Sequence, residues 1–269
     1  MDSLTHLVAG ALTPLAFPHM PKRAAILGFG IAVGELPDMD VLFGVSPEAL
    51  LMLHRGITHS LIWQPVLALV AVLPFFIWMQ CKSISDAGPC RGPCAAPGER
   101  GPGLASMYLM ALFALYTHIY LDCMTTFGTQ IFLPFSDIRV GFPAMFIVDL
   151  LLTVPALILL IKAWRQQAVP LEPAIGHTLP GRPGYAVFPA GTRKLARIGL
   201  AWILLYPLAA LGINTALTAS ANATAEDGVT TFLTEPLFPL MWKRVDDLGD
   251  RFAVSTRNLL GLEAAPAVV

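Results

Sequence analysis

Charge is what this chain has least of. Only 13% of its residues are Asp, Glu, Lys or Arg, against roughly 25% in a soluble domain. With 55% hydrophobic residues and a mean hydropathy of +0.66, that deficit excludes an ordinary water-soluble domain and places the chain in the membrane class. A net charge of −1 without a concentrated basic patch leaves no argument for a nucleic-acid partner. Cysteine is scarce too, and four in 269 residues make no disulfide framework. Cys81 ends an apolar run and Cys123 sits beside Asp122, while Cys90 and Cys94 share a Gly/Pro loop where a disulfide or metal clip is not expected. Positive charge is missing from the start of the sequence: Asp2 stands where a signal peptide carries its basic region, so no cleavage is expected. No internal repeat is found.

Apolar runs, by contrast, are abundant. Residues 61–80, 104–124, 144–163 and 196–217 are each long enough to cross a hydrocarbon core, which takes roughly 20 apolar residues. Two shorter runs precede them, 4–17 and 24–36. At ~1.5 Å per residue each would reach only about 21 Å, as a short tilted span or one arm of a re-entrant hairpin turning near Pro18 and Pro21. The expected fold is an all-α integral membrane bundle of about six helices, four long spans and two short N-terminal ones. Residues 1–217 form that helical domain, and residues 218–269 form a small extramembrane tail. Within the tail, 243–245 and 252–256 flank Asp246-Asp247-Leu248-Gly249-Asp250 as a β-hairpin with an acidic turn, and 264–269 is expected to fray. The segments 83–103 and 166–192, rich in Gly, Pro and Ala, read as irregular connectors.

Lys and Arg orient the bundle. If the six helices alternate, eleven of the seventeen fall on one side, including Lys22, Arg23, Lys82, Lys162, Arg193 and Arg197. That excess marks the side as cytoplasmic and leaves both termini outside. The acids and histidines then gather at the other surface. Asp2 and His6 open the first helix; Glu35, Asp38 and Asp40 close the second; His54, Arg55 and His59 precede the third; His118 and Asp122 close the fourth; Asp149 lies near the same surface in the fifth.

His118 and Asp122 are four apart, about 40° around a helix, so one ion can meet both. Asp2 and His6 repeat that spacing in reverse order. Simpler roles compete: Asp2 as a helix cap, His118 as a satisfied buried histidine. Ionisable groups inside a membrane segment are costly and usually functional, which favours the site. Pro37 stops the second helix, and Asp38 and Asp40 can turn into one hollow or simply cap a solvated loop. His54 and His59 lie about 140° apart on a regular helix, and Gly56 permits the bend that would bring them together. Thr58 and Ser60 can cap the third span. Arg55 offers a fork suited to phosphate or carboxylate oxygen, with an interfacial anchor as its competing role. Thr125-Thr126-Phe127-Gly128-Thr129-Gln130 is polar enough to line a mouth, whereas His19 and His177 read as incidental.

This set mixes imidazole with carboxylate and contains no thiolate. It suits zinc, or manganese or iron, better than calcium. It also exceeds what a single tetrahedral ion takes, so one or two ions are expected. Two ions can together clamp a phosphoester in displacement.

Four motifs carry a resemblance: Met1-Asp2-Ser3-Leu4-Thr5-His6, Glu35-Leu36-Pro37-Asp38-Met39-Asp40, His54-Arg55-Gly56-Ile57-Thr58-His59-Ser60, and Thr117-His118-Ile119-Tyr120-Leu121-Asp122 followed by Thr125-Thr126-Phe127-Gly128-Thr129. In this order over residues 1–150 they resemble the YdjM-like family of inner-membrane proteins, described as metal-dependent hydrolases. In motif style that family is similar to zinc-dependent phospholipase C. The resemblance takes in Asp149 of Phe146-Ile147-Val148-Asp149 and implies a helical membrane hydrolase whose metal is held by these His and Asp residues. On that reading His6, Asp38, Asp40, His54, His59, His118, Asp122 and Asp149 hold the ions and Arg55 neutralises charge on the substrate. Glu35 or Asp2 would take up the proton, and the substrate is a small molecule or membrane lipid ester met at the extracytoplasmic surface. The competing classes are a metal- or proton-coupled transporter and a non-catalytic scaffold with a structural ion.

Overall fold

The computed structural model describes residues 2–17, 24–43, 54–86, 102–166, 188–224, 230–235, 238–247, 252–258 and 267–268. The Cys90–Cys94 pair and the histidines at 19 and 177 lie outside them. Six α helices carry the described chain: α1 Ser3–Ala16, α2 Ala24–Glu35, α3 Gln64–Asp86, α4 Leu104–Cys123, α5 Leu150–Gln166 and α6 Ala190–Thr224. Two 3-10 turns, Pro37–Phe43 and Ile57–His59, follow α2 and precede α3. By length and composition α3, α4 and α6 are apolar enough to cross a membrane. At 17 residues α5 is at the lower limit of the ~17–25 that span.

Boundaries differ from expectation where a cap or a loop contact outcompetes hydropathy. The fifth apolar run begins at 144, yet α5 starts at Leu150 because Asp149 Oδ1 accepts from Leu152 N at 3.1 Å. The residues before it are tied to the end of α4 instead, with Ala144 N and Met145 N both donating to Met124 O at 3.2 Å. The last helix extends to 35 residues, well beyond 196–217.

α1 is the hub. Asp2 caps it by accepting from Thr5 N at 3.0 Å, and eleven of its 14 residues are buried against α2, α4, α5 and α6. Its crossing with α2 is close because glycines meet there. A Cβ on Gly10 would stand 2.6 Å from Gly30 O, and one on Gly34 would stand 3.1 Å from His6 O. Any larger residue would push the helices apart, since backbone atoms cannot yield as side chains do. That approach sets His6 beside the C-terminal carbonyls of α2. Around it Leu12, Leu15, Ile26, Met107, Met110 and Leu115 form the core, all essentially inaccessible.

Beyond α6 the tail folds as a four-stranded antiparallel sheet in the order β1 Thr230–Glu235, β2 Phe238–Asp247, β3 Phe252–Asn258, β4 Ala267–Val268. The anticipated hairpin is the β2–β3 pair, with Lys243 opposite Thr256 and Val245 opposite Val254. The extreme terminus, expected to fray, instead pairs Ala267 and Val268 with β3. Buried Trp242 packs on Leu217 of α6.

Candidate metal centre

Four side chains from three segments converge at one end of the bundle. Asp38 comes from the turn after α2, His59 from the turn before α3, and His118 and Asp122 from the last turns of α4. One ligand atom from each lies within 4.8 Å of all the others. His59 Nε2 is 3.2 Å from His118 Nε2, 3.2 Å from Asp38 Oδ1 and 3.3 Å from Asp122 Oδ2. His118 Nε2 is 3.4 Å from Asp38 Oδ1 and 3.5 Å from Asp122 Oδ2. With bonds of 2.0–2.1 Å to zinc, the edges of a tetrahedron of ligands are about 3.3–3.4 Å. Five separations therefore match a tetrahedral cage around a zinc-sized ion.

The hydrogen bonds behind the imidazoles settle which nitrogen faces inward. His118 Nδ1 lies 2.7 Å from Gly34 O, an acceptor without a proton, so Nδ1 carries the hydrogen. The carbonyl is free for this because the last carbonyls of α2 have no partner within the helix. Thr58 gives its one hydroxyl proton to Asp40 Oδ2 at 2.9 Å and so accepts from His59 Nδ1 at 3.0 Å. In the neutral rings both Nε2 atoms then present lone pairs to each other and to two carboxylates. Four acceptors meeting at one point repel unless a cation or a shared proton stands between them, and outer hydrogen bonds of this kind commonly accompany metal-bound histidine.

The carboxylates carry the charge such a cation needs. Burial opposes charge on Asp38, but the His118 and His59 rings, when they carry protons at Nε2, outweigh it and hold the carboxyl well below the usual range; a cation in the cage would take the place of those protons. Burial likewise opposes charge on Asp40, and His54, His59 and Thr58 outweigh it.

Around this cage the remaining expected residues take distinct places. Asp40 stands one layer out: Oδ1 pairs with His54 Nδ1 at 3.0 Å and Oδ2 also accepts from Arg55 N at 3.1 Å. The bend at Gly56 does bring the rings of His54 and His59 to 5.8 Å, with His54 on Asp40 and outside the four. Arg55 adopts φ +60°, a left-handed conformation that non-glycine residues rarely hold and that clusters at functional sites. Its guanidinium reaches Asp122 Oδ1 at 3.1 Å and Thr125 Oγ1 at 3.0 Å, and Phe127 covers it at 5.0 Å. Asp122 thus divides its oxygens, one toward the cage and one toward Arg55. His6 shares the second oxygen, with Nε2 at 3.3 Å. Its ring stacks on His118 at 3.7 Å, and its buried Nδ1 has no hydrogen-bond partner among the described residues. Glu35 lies within electrostatic reach of Asp38, His118, Asp2 and Asp122 and keeps Oε1 buried without a partner among the described residues.

Two expected residues are used otherwise. Asp149, anticipated as a ligand, caps α5 and accepts from Tyr206 Oη at 2.9 Å, which satisfies both oxygens away from the cage. Asp2 caps α1 and accepts from Thr5 Oγ1 at 2.8 Å. Sequence reasoning passed over Gly34, which acts through its carbonyl, and read Thr58 as a cap, whereas its hydroxyl orients His59. A carbonyl leaves no mark in a sequence; the adjacency of Thr58 to His59 does.

Loop contacts fix the arrangement. Gln64 Nε2 donates to Thr58 O at 2.7 Å and Ser60 O at 3.0 Å, Gln130 N donates to Arg55 O at 3.0 Å, and Ser60 Oγ donates to Leu133 O.

A stretch of 144 residues is 24% identical to a protein of Bacillus subtilis (strain 168) named "Uncharacterized protein YfhP", taking in 51% of this chain and 38% of that one. The match therefore spans well under half of that relative's length. No solved structure matches the chain. Residues 1–216, which contain every member of the cage, match the family described as "YdjM inner membrane protein". The chain belongs to that inner-membrane family, and a group of Asp38, His59, His118 and Asp122 able to bind a metal ion lies within the matched region.

Proposed function

We propose that the protein is a membrane-embedded, metal-dependent hydrolase acting on an ester, a phosphoester in the first instance, at the level of the lipid headgroups on the extracytoplasmic side. The observation that carries this reading is the cage of four inward-facing acceptors at tetrahedral spacing. A divalent cation held there, zinc by ligand type, would supply Lewis acidity toward a substrate oxygen and toward water.

The chain's own residues do the rest. Gly34 O and Thr58 hold the two imidazoles in the tautomer that leaves Nε2 open, and Arg55 holds Asp122 Oδ1 in place. Asp38, its side chain 17% exposed where the other three are at most 1%, is the member that faces the approach. Met39, Leu42 and Ile57 stand exposed beside it, 46%, 70% and 51% accessible, an apolar rim suited to lipid. Glu35, close by with a buried oxygen that has no partner among the described residues, would take up the proton.

A second reading has its own support. Four protein ligands closing a tetrahedron are typical of structural zinc, whereas catalytic sites keep one position open. A scaffold with a structural ion would use the same cage. Purified protein assayed on phosphodiester and phospholipid substrates, alongside His118→Ala, separates the two. Turnover that follows metal content and disappears in the variant supports the hydrolase. Stoichiometric metal without turnover on a broad panel supports the scaffold.

A further inference from the structure

Two cavities meet along α6. One, about 370 Å³, is lined by Arg193, Lys194 and Arg197 together with Ala190, Ile198 and Ala201. The other, about 630 Å³, runs between α5 and α6 past Pro155, Trp202, Leu205 and Ala209 to Trp242 of β2. Ile198 and Ala201 line both, so a basic cup opens directly into an apolar groove of the size that ligand pockets usually have, roughly 300–1,000 Å³.

The cup lies at the end of the bundle away from the metal centre. Arg197 Nε donates to Ala16 O at 3.1 Å, the last residue of the helix whose first turns carry His6. Thr192 Oγ1 donates to Ala163 O at 3.3 Å, near the end of α5. Three cations stand in the first turns of a helix whose first turn has no acid. Among the described residues no carboxylate pairs with any of them. Arg193 uses Nη1 on Phe188 O at 3.2 Å, and a guanidinium has five N–H donors, so each arginine keeps donors for a ligand. Positive charge that no described carboxylate balances calls for an anion at this end of the trough, and the groove beyond calls for a chain of methylenes.

We propose that this trough binds one anionic phospholipid, with its phosphate in the Arg193/Lys194/Arg197 cup and an acyl chain along the groove toward Trp242. A free phosphate would leave the groove unexplained. A choline headgroup would bring a cation against three others. Basic pockets between membrane helices recognise lipid head groups on these terms. The proposal is independent of the hydrolase reading, because no member of the metal cage lines either cavity.

Native mass spectrometry of the detergent-purified full chain, titrated with phosphatidylglycerol, phosphatidylcholine of the same acyl chains, or inorganic phosphate, tests it. Phosphatidylglycerol is expected to bind one per chain in preference to phosphatidylcholine. Replacing two cup cations in R193Q/K194Q should weaken it about thirtyfold. A209W, which fills the groove without touching the cup, should weaken phosphatidylglycerol but not inorganic phosphate. Circular dichroism and a monodisperse elution profile check that the variants are folded, and K194Q alone, at an exposed position, provides a gentler second test. Equal binding of the two lipids would overturn the proposal. So would phosphatidylglycerol binding unchanged in folded R193Q/K194Q or A209W, or displacement of the lipid by inorganic phosphate at equal concentration.

Discussion

Arg55 Nη2 lies 3.1 Å from Asp122 Oδ1, with the two side chains 4% and 1% exposed. A buried pair of this kind costs about 3–5 kcal/mol to break where the surviving charge is left unpaired, and less here because His6 Nε2 also lies 3.3 Å from Asp122 Oδ1. Arg55→Gln is therefore expected to lower the unfolding midpoint and to weaken divalent-cation binding by about 10- to 100-fold, the usual effect of removing a partner that orients a ligand. Arg55→Lys keeps the charge but loses the fork and should fall between. Thermal unfolding and metal titration in detergent check both, and unchanged binding in Arg55→Gln would remove Arg55 from the centre.

Thr58 acts one bond behind His59. Its hydroxyl links Asp40 to His59 Nδ1 and so keeps Nε2 open to the cage. Thr58→Val removes the link at nearly constant volume. It should weaken metal binding by about 10- to 100-fold and cost about 1–3 kcal/mol of stability, because buried His59 Nδ1 loses its acceptor. Thr58→Ser retains the hydroxyl and should restore binding. A Val variant that titrates like the wild type would mean that His59 needs no such orientation.

Asp149 provides the opposite control. Its oxygens are committed to Leu152 N and Tyr206 Oη, so Asp149→Ala should cost about 0.5–2 kcal/mol as a lost helix cap while leaving metal content intact. Metal lost in proportion to Asp149 would place that carboxylate in the cage after all.

Asp149 also marks where reading the chain from its residues stops. The spacing of His118 and Asp122 on one helix face, the stop at Pro37 and the bend at Gly56 are local features, and each is visible in the sequence. So is the membrane class, because charge density and apolar run length are sums over residues. Which of two neighbouring aspartates faces inward is not local. Asp38 meets both imidazoles while Asp40 turns to His54, and that choice is set by a 3-10 turn whose geometry depends on packing against the loop at 54–60. The commitment of Asp149 to Tyr206 spans 57 positions, and the role of Gly34 belongs to a carbonyl and to a helix crossing that only glycine permits. Hydropathy also misplaces the start of α5, since an apolar run does not show where a capping carboxylate will begin the helix.

X-ray absorption at the metal edge, on protein purified with its native metal and quantified by elemental analysis, most directly tests whether Asp38, His59, His118 and Asp122 hold a single divalent cation. The expected result is about one ion per chain with two imidazole nitrogens and carboxylate oxygens at roughly 2.0–2.2 Å and no sulfur, the signal disappearing in His118→Ala and Asp122→Ala. Protein without a stoichiometric ion, or an ion whose imidazole signature survives both substitutions, would contradict it.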